Sequence, residues 1–404
     1  MSTSITVMNR LFWPKRFGGL ERVLWQLTNA LADAGVTVQV LSEQHDTAVL
    51  DEDARERLRV LRTPPVEFGR LWRVAELVQV RWWMRALAKA PRTRWLWANE
   101  PTAAAAAIFS GRASDLIYRP VFCYAGMHHV AQSYPEMAAL KRSRVARLLD
   151  RLAYRRAHLV IDESRCLQQQ QERWYGRRAN LCVVHNATTP ASPAPTDCPR
   201  LRFGLHPGHF VIGFVGRPGD PCKDLPFLLD ALAHRPLPAH ARLLIVGGGE
   251  GFNTARQWVQ KAGLAPHTLW TGNLDDPGPA YHAMDALVLP SRFETFGNVI
   301  IEAHAHGVPA IGRRYSDRSD APIYTACSEL IDHDQTGYTV SPHDPADLAD
   351  KLYRLIVCPA HAKRMGAEAR RRQMAYPWSQ VVSEYLHAMG EWTPSDMADY
   401  SIAA

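Results

Sequence analysis

Two glutamates, Glu294 and Glu302, stand eight positions apart in the stretch SRFETFGNVIIEAHAHGVPAIG, residues 291–312. On one helix that spacing would separate them by about 12 Å along the axis. Carboxylates that share acid and base roles at a glycosidic bond stand roughly 5 to 9.5 Å apart, so joint acid–base work is disfavoured. The alternative places Glu294 in a loop and Glu302 inside the helix that follows, each contacting a different part of one extended ligand. Upstream, GFVGRPGDPCKDLPFLLDAL reads as a strand ending at Val215, a turn at Gly216, then Arg217 and Lys223 ahead of a helix that starts near Asp224 or Leu225. Two cations at the C-terminal end of a strand, where α/β domains bind ligands, could neutralise a diphosphate. Arginine and lysine six positions apart are also ordinary surface charges, and it is their place after a strand that favours the first reading. IVGGGEG also follows a strand but lacks the full dinucleotide fingerprint, and it reads as a close turn.

These residues need a scaffold, and the chain supplies a repeated alternation. SITVMNRLF reads as a strand that leads into a glycine loop, FGGLERV. A helical run with apolar residues three and four apart follows, and then the strand VTVQVLSE. Strand, helix, strand implies a parallel sheet. RWLWANE, PVFCYAG, HLVIDES and LCVVHNAT continue the strand pattern, and TTPASPAPTDCPR reads as a linker rich in Pro, Ser, Thr and Ala. The alternation then resumes with HFVIGFVGR, ARLLIVGGG, HTLWTGN, DALVLPS, VPAIG and GYTVSP. The expected architecture is two Rossmann-like, doubly wound α/β domains facing a central cleft. Residues 1–190 form the first domain, 191–207 the linker and 208–375 the second domain, with 376–404 crossing back to the first.

Composition narrows the function classes. With 404 residues, 47% of them hydrophobic and 22% charged, the chain reads as a globular cytoplasmic protein with two domains. No run of 18 apolar residues argues for a membrane span. The seven cysteines are scattered without C-x-x-C or metal-ligand spacing, which points to reduced packing residues and no metal site. The formal charge of +7 is concentrated in the first half: residues 62–156 hold 17 Lys and Arg against 6 Asp and Glu. Within that basic region Arg70, Arg73, Arg81, Arg85 and Lys89 interleave with Trp72, Trp82, Trp83, Trp95 and Trp97. Two readings stay open there. One is a peripheral contact with an anionic membrane surface on the inner face, cations on headgroups and indoles at the interface. The other is an amphipathic helix whose tryptophans pack and whose arginines are solvated. Nucleic acid is not expected, since no binding motif accompanies the charge.

The motifs together resemble the retaining glycosyltransferases of sequence family 4. Gly216 and Arg217 with Lys223 downstream, LIVGGGEG, LWTGNLDD, LVLPSRFETFGNVIIEAHAHGVPAIG, GYTVSPHDPADLADKL and YPWSQVVSEYL occur in that family's order and spacing. FGGLERV, VIDES and VVHNATTP are similar to its first-domain landmarks, so the likeness covers nearly the whole chain. The resemblance implies the GT-B fold and transfer of a hexose from a nucleotide diphosphate sugar, UDP- or GDP-linked, to a glycan, glycolipid or lipid-linked acceptor. Such an activity belongs with cell-surface polysaccharide or lipopolysaccharide synthesis. It needs no cofactor besides the donor substrate.

The same resemblance distributes roles. Glu294 and Glu302 match the family's Glu-x7-Glu signature, with Glu294 at the donor sugar and Glu302 on the ribose hydroxyls. Phe296, Gly297 and Asn298 would turn backbone N–H groups toward sugar or phosphate, Gly297 permitting the close approach. Arg217, Lys223 and Gly216 would meet the diphosphate. Gly18 and Gly19 match the first-domain loop beneath it, and His128 aligns with the histidine at the sugar's edge, His129 being the competing choice. His304 and His306, two apart on a helix, fall on different faces and do not suggest a metal pair. Two other activities use the same nucleotide chemistry: a sugar-nucleotide epimerase of this fold, or transfer to a small soluble acceptor.

Overall fold

The computed structural model describes residues 3–10, 19–43, 58–62, 75–188, 191, 198–235 and 237–391. Gly18, Arg70, Trp72, Arg73 and most of the linker segment up to residue 197 lie outside the described residues. The chain divides into two compact units. Unit 1 holds residues 1–128, 141–186 and 378–404, and unit 2 holds 129–140 and 187–377.

Unit 1 is built on seven parallel strands: β1 (Ser4–Met8), β2 (Thr37–Ser42), β3 (Leu58–Arg62), β4 (Trp95–Ala98), β5 (Leu116–Tyr118), β6 (Leu159–Asp162) and β7 (Leu181–Val183), in the order β3-β2-β1-β4-β5-β6-β7. The strands are apolar on both faces because helices cover both sides of a parallel sheet. Helix ends are set by local chemistry. Ser143 and Ser164 each accept a hydrogen bond from the backbone N–H three residues on, which starts the helices Arg144–Arg156 and Arg165–Tyr175. The alanine run of Pro101–Phe109 is fully buried, and its short side chains let the helices Ala75–Lys89 and Arg144–Arg156 pack closely against it.

Two features of unit 1 depart from the sequence expectations, and a third bears on a reading left open. PVFCYAG is not a strand: β5 lies upstream at Leu116–Tyr118, and Tyr124 opens the helix Tyr124–Ser133. A buried carboxylate decides this, since Asp150 Oδ2 accepts the Tyr124 N–H at 2.8 Å and caps that helix. β3, LRVLR, was not anticipated. The tryptophans pack inward: Trp83 and Trp97 are at most 1% exposed, Trp95 is 6% exposed, and Trp82 stands edge-on to Trp83 within the same core. Three of these four are buried and Trp82 is half-buried. Arg81, Arg85 and Lys89 are exposed, so the cationic face of the helix remains.

The C-terminal helix Trp378–Ala388 belongs to unit 1. Tyr385 stacks on Trp97 and its hydroxyl accepts from Arg119 Nε at 2.8 Å, while Glu391 accepts from Thr3 and from the Trp95 indole.

Unit 2 carries six parallel strands, β8 (Phe210–Val215), β9 (Ala241–Val246), β10 (Thr268–Gly272), β11 (Ala286–Leu289), β13 (Ala310–Arg313) and β15 (Gly337–Val340), in the order β10-β9-β8-β11-β13-β15. A separate ladder pairs β12 (Phe293–Glu294) with β14 (Tyr324–Thr325). The order reverses between β8 and β11, and in such sheets ligands bind beyond the C-terminal ends of the strands at that reversal. Residues 198–207, expected as linker, are part of this unit. Pro199–Arg202 forms a helical turn, Arg200 pairs with Asp285 at 2.7 Å, and Leu205 is buried. Composition alone does not reveal that pairing, because Asp285 is remote in sequence. All seven cysteines are free thiols, and among the described residues no helix is long and apolar enough to cross a membrane.

Candidate functional site

The loops that leave β8 and β11 meet at the strand-order reversal of unit 2, and most of the expected donor residues lie on them. Gly216 ends β8 with φ +146° and donates its N–H to the Val246 carbonyl. Gly247, at φ +125°, packs directly on it: a Cβ at residue 247 would lie 2.0 Å from the Gly216 oxygen. The glycines of IVGGGEG therefore let two loops close backbone to backbone. The turn after Gly216 is held by Asp220, which accepts from the N–H of Cys222 through its carboxylate and from that of Lys223 through its carbonyl. Arg217 pairs with the Asp220 carboxylate at 2.5 Å, and its side chain is 70% exposed.

Lys223 folds back over Gly216 and places Nζ 2.5 Å from Glu294 Oε2, with the two side chains 20% and 15% exposed. Ser291 Oγ donates to the same carboxylate oxygen at 3.3 Å. Burial alone would lower the pKa of the Lys223 ammonium, but the charge and hydrogen bond of Glu294, aided by Asp220, outweigh it and raise the value. Lys223 is thus a fixed cation at neutral pH. Glu294 is placed by the β12–β14 ladder: the Tyr324 N–H donates to the Arg292 carbonyl, the Ala326 N–H donates to the Glu294 carbonyl, and the Arg292 N–H reaches the Cys222 carbonyl at 2.8 Å. This last bond joins the two loops beside the ion pair.

Beyond Glu294 the chain turns at Gly297, whose φ of +105° admits the turn without the Cβ penalty any other residue would meet. The Phe296 ring is buried, and Asn298 opens the helix Asn298–Ala305. Glu302 sits in the second turn of that helix, its Oε2 accepting from the Tyr281 hydroxyl at 2.6 Å. Tyr281 stacks on His306, and His306 Nδ1 lies 2.7 Å from the Glu302 carbonyl. His304 points into the core, 3% exposed, and burial pushes its pKa down to about 4, so it is neutral. Among the described residues no cluster of three or more His, Cys, Asp or Glu could hold a metal.

Gly216, Lys223 and Glu294 are thus in one cluster, with Arg217 turned toward Asp220. Gly297 leads from that cluster to the helix that carries Glu302. Gly19 and His128 belong to unit 1, Gly19 as the first residue of the helix Gly19–Asp33 and His128 within Tyr124–Ser133. His129 is grouped with unit 2, its ring 6.2 Å from that of Tyr324 in β14. The sequence reading missed Tyr281, Ser291, Asp224, Arg292 and Arg313. Ser291 and Arg292 stood inside the quoted signature and could have been raised by their nearness to Glu294. Tyr281 and Arg313 carry no local signal.

Comparison with known proteins gives two family models in tandem: Glycosyltransferase Family 4 over residues 17–191, and Glycosyl transferases group 1 over residues 209–357. The chain is similar to the D-inositol 3-phosphate glycosyltransferase of Rhodococcus erythropolis, 30% identical over 206 residues, which is 48% of this chain and 44% of that protein. The match thus spans less than half of the relative's length. Among solved structures, the sucrose-phosphate synthase of Thermosynechococcus elongatus superposes with a TM-score of 0.80 at 21% identity, over 96% of this chain and 98% of that one. The Anabaena protein HepE, solved with UDP and glucose, superposes with a TM-score of 0.74 at 20% identity, over 96% and 100%. The two parallel-sheet α/β units have the GT-B fold of these glycosyltransferase structures.

Proposed function

The chain belongs to family 4 of the glycosyltransferases, within group 1, and on that premise we propose that it transfers a hexosyl group, with retention, from a nucleotide diphosphate sugar to a phosphate-bearing acceptor. The observation that carries this reading is the Lys223–Glu294 pair, 2.5 Å apart at the strand-order reversal of unit 2. Lys223 and Arg217 meet the diphosphate, Glu302 the ribose, and Glu294 with the backbone N–H groups of Phe296, Gly297 and Asn298 the sugar. In the transfer, the bond from the anomeric carbon to the diphosphate oxygen breaks and its electron pair leaves with that oxygen. The acceptor hydroxyl oxygen bonds to the same face of the anomeric carbon, and its proton passes to the leaving phosphate. Lys223, a fixed cation, stabilises the charge growing on the diphosphate and cannot serve as the base. The proposal needs no cofactor beyond the donor, because these two cations answer the diphosphate charge.

UDP is the favoured donor base, since HepE was solved with UDP and glucose. A phosphate-bearing acceptor is supported by the basic first unit, with Arg81, Arg85 and Lys89 exposed along one helix. The names of the Rhodococcus and Thermosynechococcus proteins also both carry a phosphate ester. A lipid-linked glycan at the cytoplasmic face of a membrane is the second form such an acceptor could take. The test incubates the protein with UDP- and GDP-hexoses, with and without D-inositol 3-phosphate or a lipid-linked glycan, following nucleoside diphosphate release and the anomeric configuration of the product. Acceptor-dependent release with an α-linked product from an α-donor is expected. A β-linked product would overturn retention, and sugar isomerisation without acceptor would identify an epimerase.

A further inference from the structure

We infer that Asp224 is a positioning residue for the Lys223–Glu294 pair, its buried carboxylate tying the loops after β8 and β11 to the end of β13 around the donor site. The inference rests on the function proposed above. Asp224 follows Lys223 directly and its side chain is 3% exposed. Its Oδ2 accepts from Arg292 Nε at 2.8 Å and from Arg313 Nη1 at 2.6 Å. Arg292 precedes Glu294 by two residues in the loop after β11, and Arg313 ends β13. One oxygen atom thus joins the loops after β8 and β11 to the last residue of β13.

Both arginines are themselves anchored. Arg313 also donates to the carbonyls of Pro290 and Pro342 and lies 3.9 Å over the Phe227 ring. Arg292 lies 4.4 Å over Tyr134 and pairs with Glu136 at 2.5 Å. The charges balance, two guanidiniums against buried Asp224 and half-exposed Glu136, and removing one member leaves an uncompensated charge. Without Asp224 the excess cation nearest the site is Arg292, two residues from Glu294 and able to compete with Lys223 for its carboxylate.

The backbone admits a clean deletion of that carboxylate. Asp224 has φ +47° and ψ 51°, the left-handed region in which glycine is the least strained residue. A glycine there meets no such strain, so Asp224→Gly deletes the carboxylate without a backbone cost. Burial raises the Asp224 pKa and the two arginines counter that shift.

The discriminating variant is therefore Asp224→Gly, which suits the backbone and deletes the carboxylate, with Asp224→Asn as the isosteric control. Expected for both is a kcat at least tenfold below wild type, with the Kd for the intact UDP-sugar changed less than threefold and the thermal unfolding midpoint retained in at least one. In parallel, the Lys223 ammonium is titrated by NMR of the reductively methylated protein. Its pKa should move toward the ordinary lysine value in both variants. Wild-type kcat together with an unshifted Lys223 titration in Asp224→Gly would overturn the inference. So would losses of kcat and donor affinity that only track lost stability. If wild-type protein turns over no sugar nucleotide, the proposed function fails, and the Lys223 titration still decides the positioning role.

Discussion

Replacing Lys223 by methionine tests the donor site most directly, because its partner is visible. The ammonium lies 2.5 Å from Glu294 and the Lys223 side chain is 20% exposed, so the charge-assisted bond proposed from it to a diphosphate should contribute about 1.5 to 3 kcal/mol. That corresponds to about 12- to 160-fold in Kd. The substitution also strands Glu294, 15% exposed, beside an anionic ligand. Two like charges about 5 Å apart at an effective dielectric near 20 repel by roughly 3 kcal/mol. The two terms together, about 4.5 to 6 kcal/mol, mean that Lys223→Met should weaken UDP binding more than about 1,000-fold. Glu294→Gln in the same chain removes the stranded charge, so the double variant should recover to about 12- to 160-fold below wild type, a coupling of roughly 3 kcal/mol. Glu294→Gln alone releases Lys223 and should bind UDP as well as wild type or better. Calorimetric titration with UDP measures all four corners, with circular dichroism to confirm the fold. A Lys223→Met variant that binds UDP within threefold of wild type, or a double variant no better than Lys223→Met, would refute this account of the site.

Glu302→Ala should weaken a UDP-sugar by about 1.5 to 3 kcal/mol while leaving inorganic pyrophosphate inhibition unchanged, because the lost contact is assigned to the ribose; equal loss toward both ligands would move Glu302 to the phosphates. Stability should carry a His304 signature. The folded pKa of about 4 lies below the ordinary 6.5, so the unfolded chain binds the extra proton and stability falls as pH drops from 6.5 toward 4. Asp150, pushed up to about 6 by burial, works the other way between 6 and its ordinary 3.8. The His304 contribution must therefore be read as a difference: between pH 7 and 5, wild type should lose about 2 kcal/mol relative to His304→Leu in urea unfolding, and parallel curves would refute it. With Trp83, Trp95 and Trp97 packed, attraction to anionic vesicles should be mainly electrostatic. Replacing Arg81, Arg85 and Lys89 together by Gln should remove about 1 kcal/mol per cation at low salt, and vesicle binding that persists in the triple variant would assign the contact elsewhere.

The sequence by itself determined what is local. Alternating apolar runs with glycine turns named most strands of two parallel-sheet units, and Gly216 and Gly297 marked turns that do take positive φ. The spacing from Glu294 to Glu302 argued that the two do not share one helix, and Glu302 is helical while Glu294, expected in a loop, stands in the short strand β12. Tertiary structure decided everything that depends on strand order. Lys223 and Glu294 are 71 positions apart, and they meet because β11, not β10, lies beside β8. Asp224 and Arg313 are 89 apart and meet across the end of β11, which lies between β8 and β13. Local pattern says that a strand is apolar, not which strand is its neighbour. The tryptophans illustrate the same limit. An amphipathic run shows that one face is apolar, but Trp83 and Trp97 became core residues only once the alanine helix and the C-terminal Tyr385 were packed against them. The fate of PVFCYAG turned on Asp150, a carboxylate 26 residues downstream whose bond to the Tyr124 N–H starts a helix where β-propensity favoured a strand.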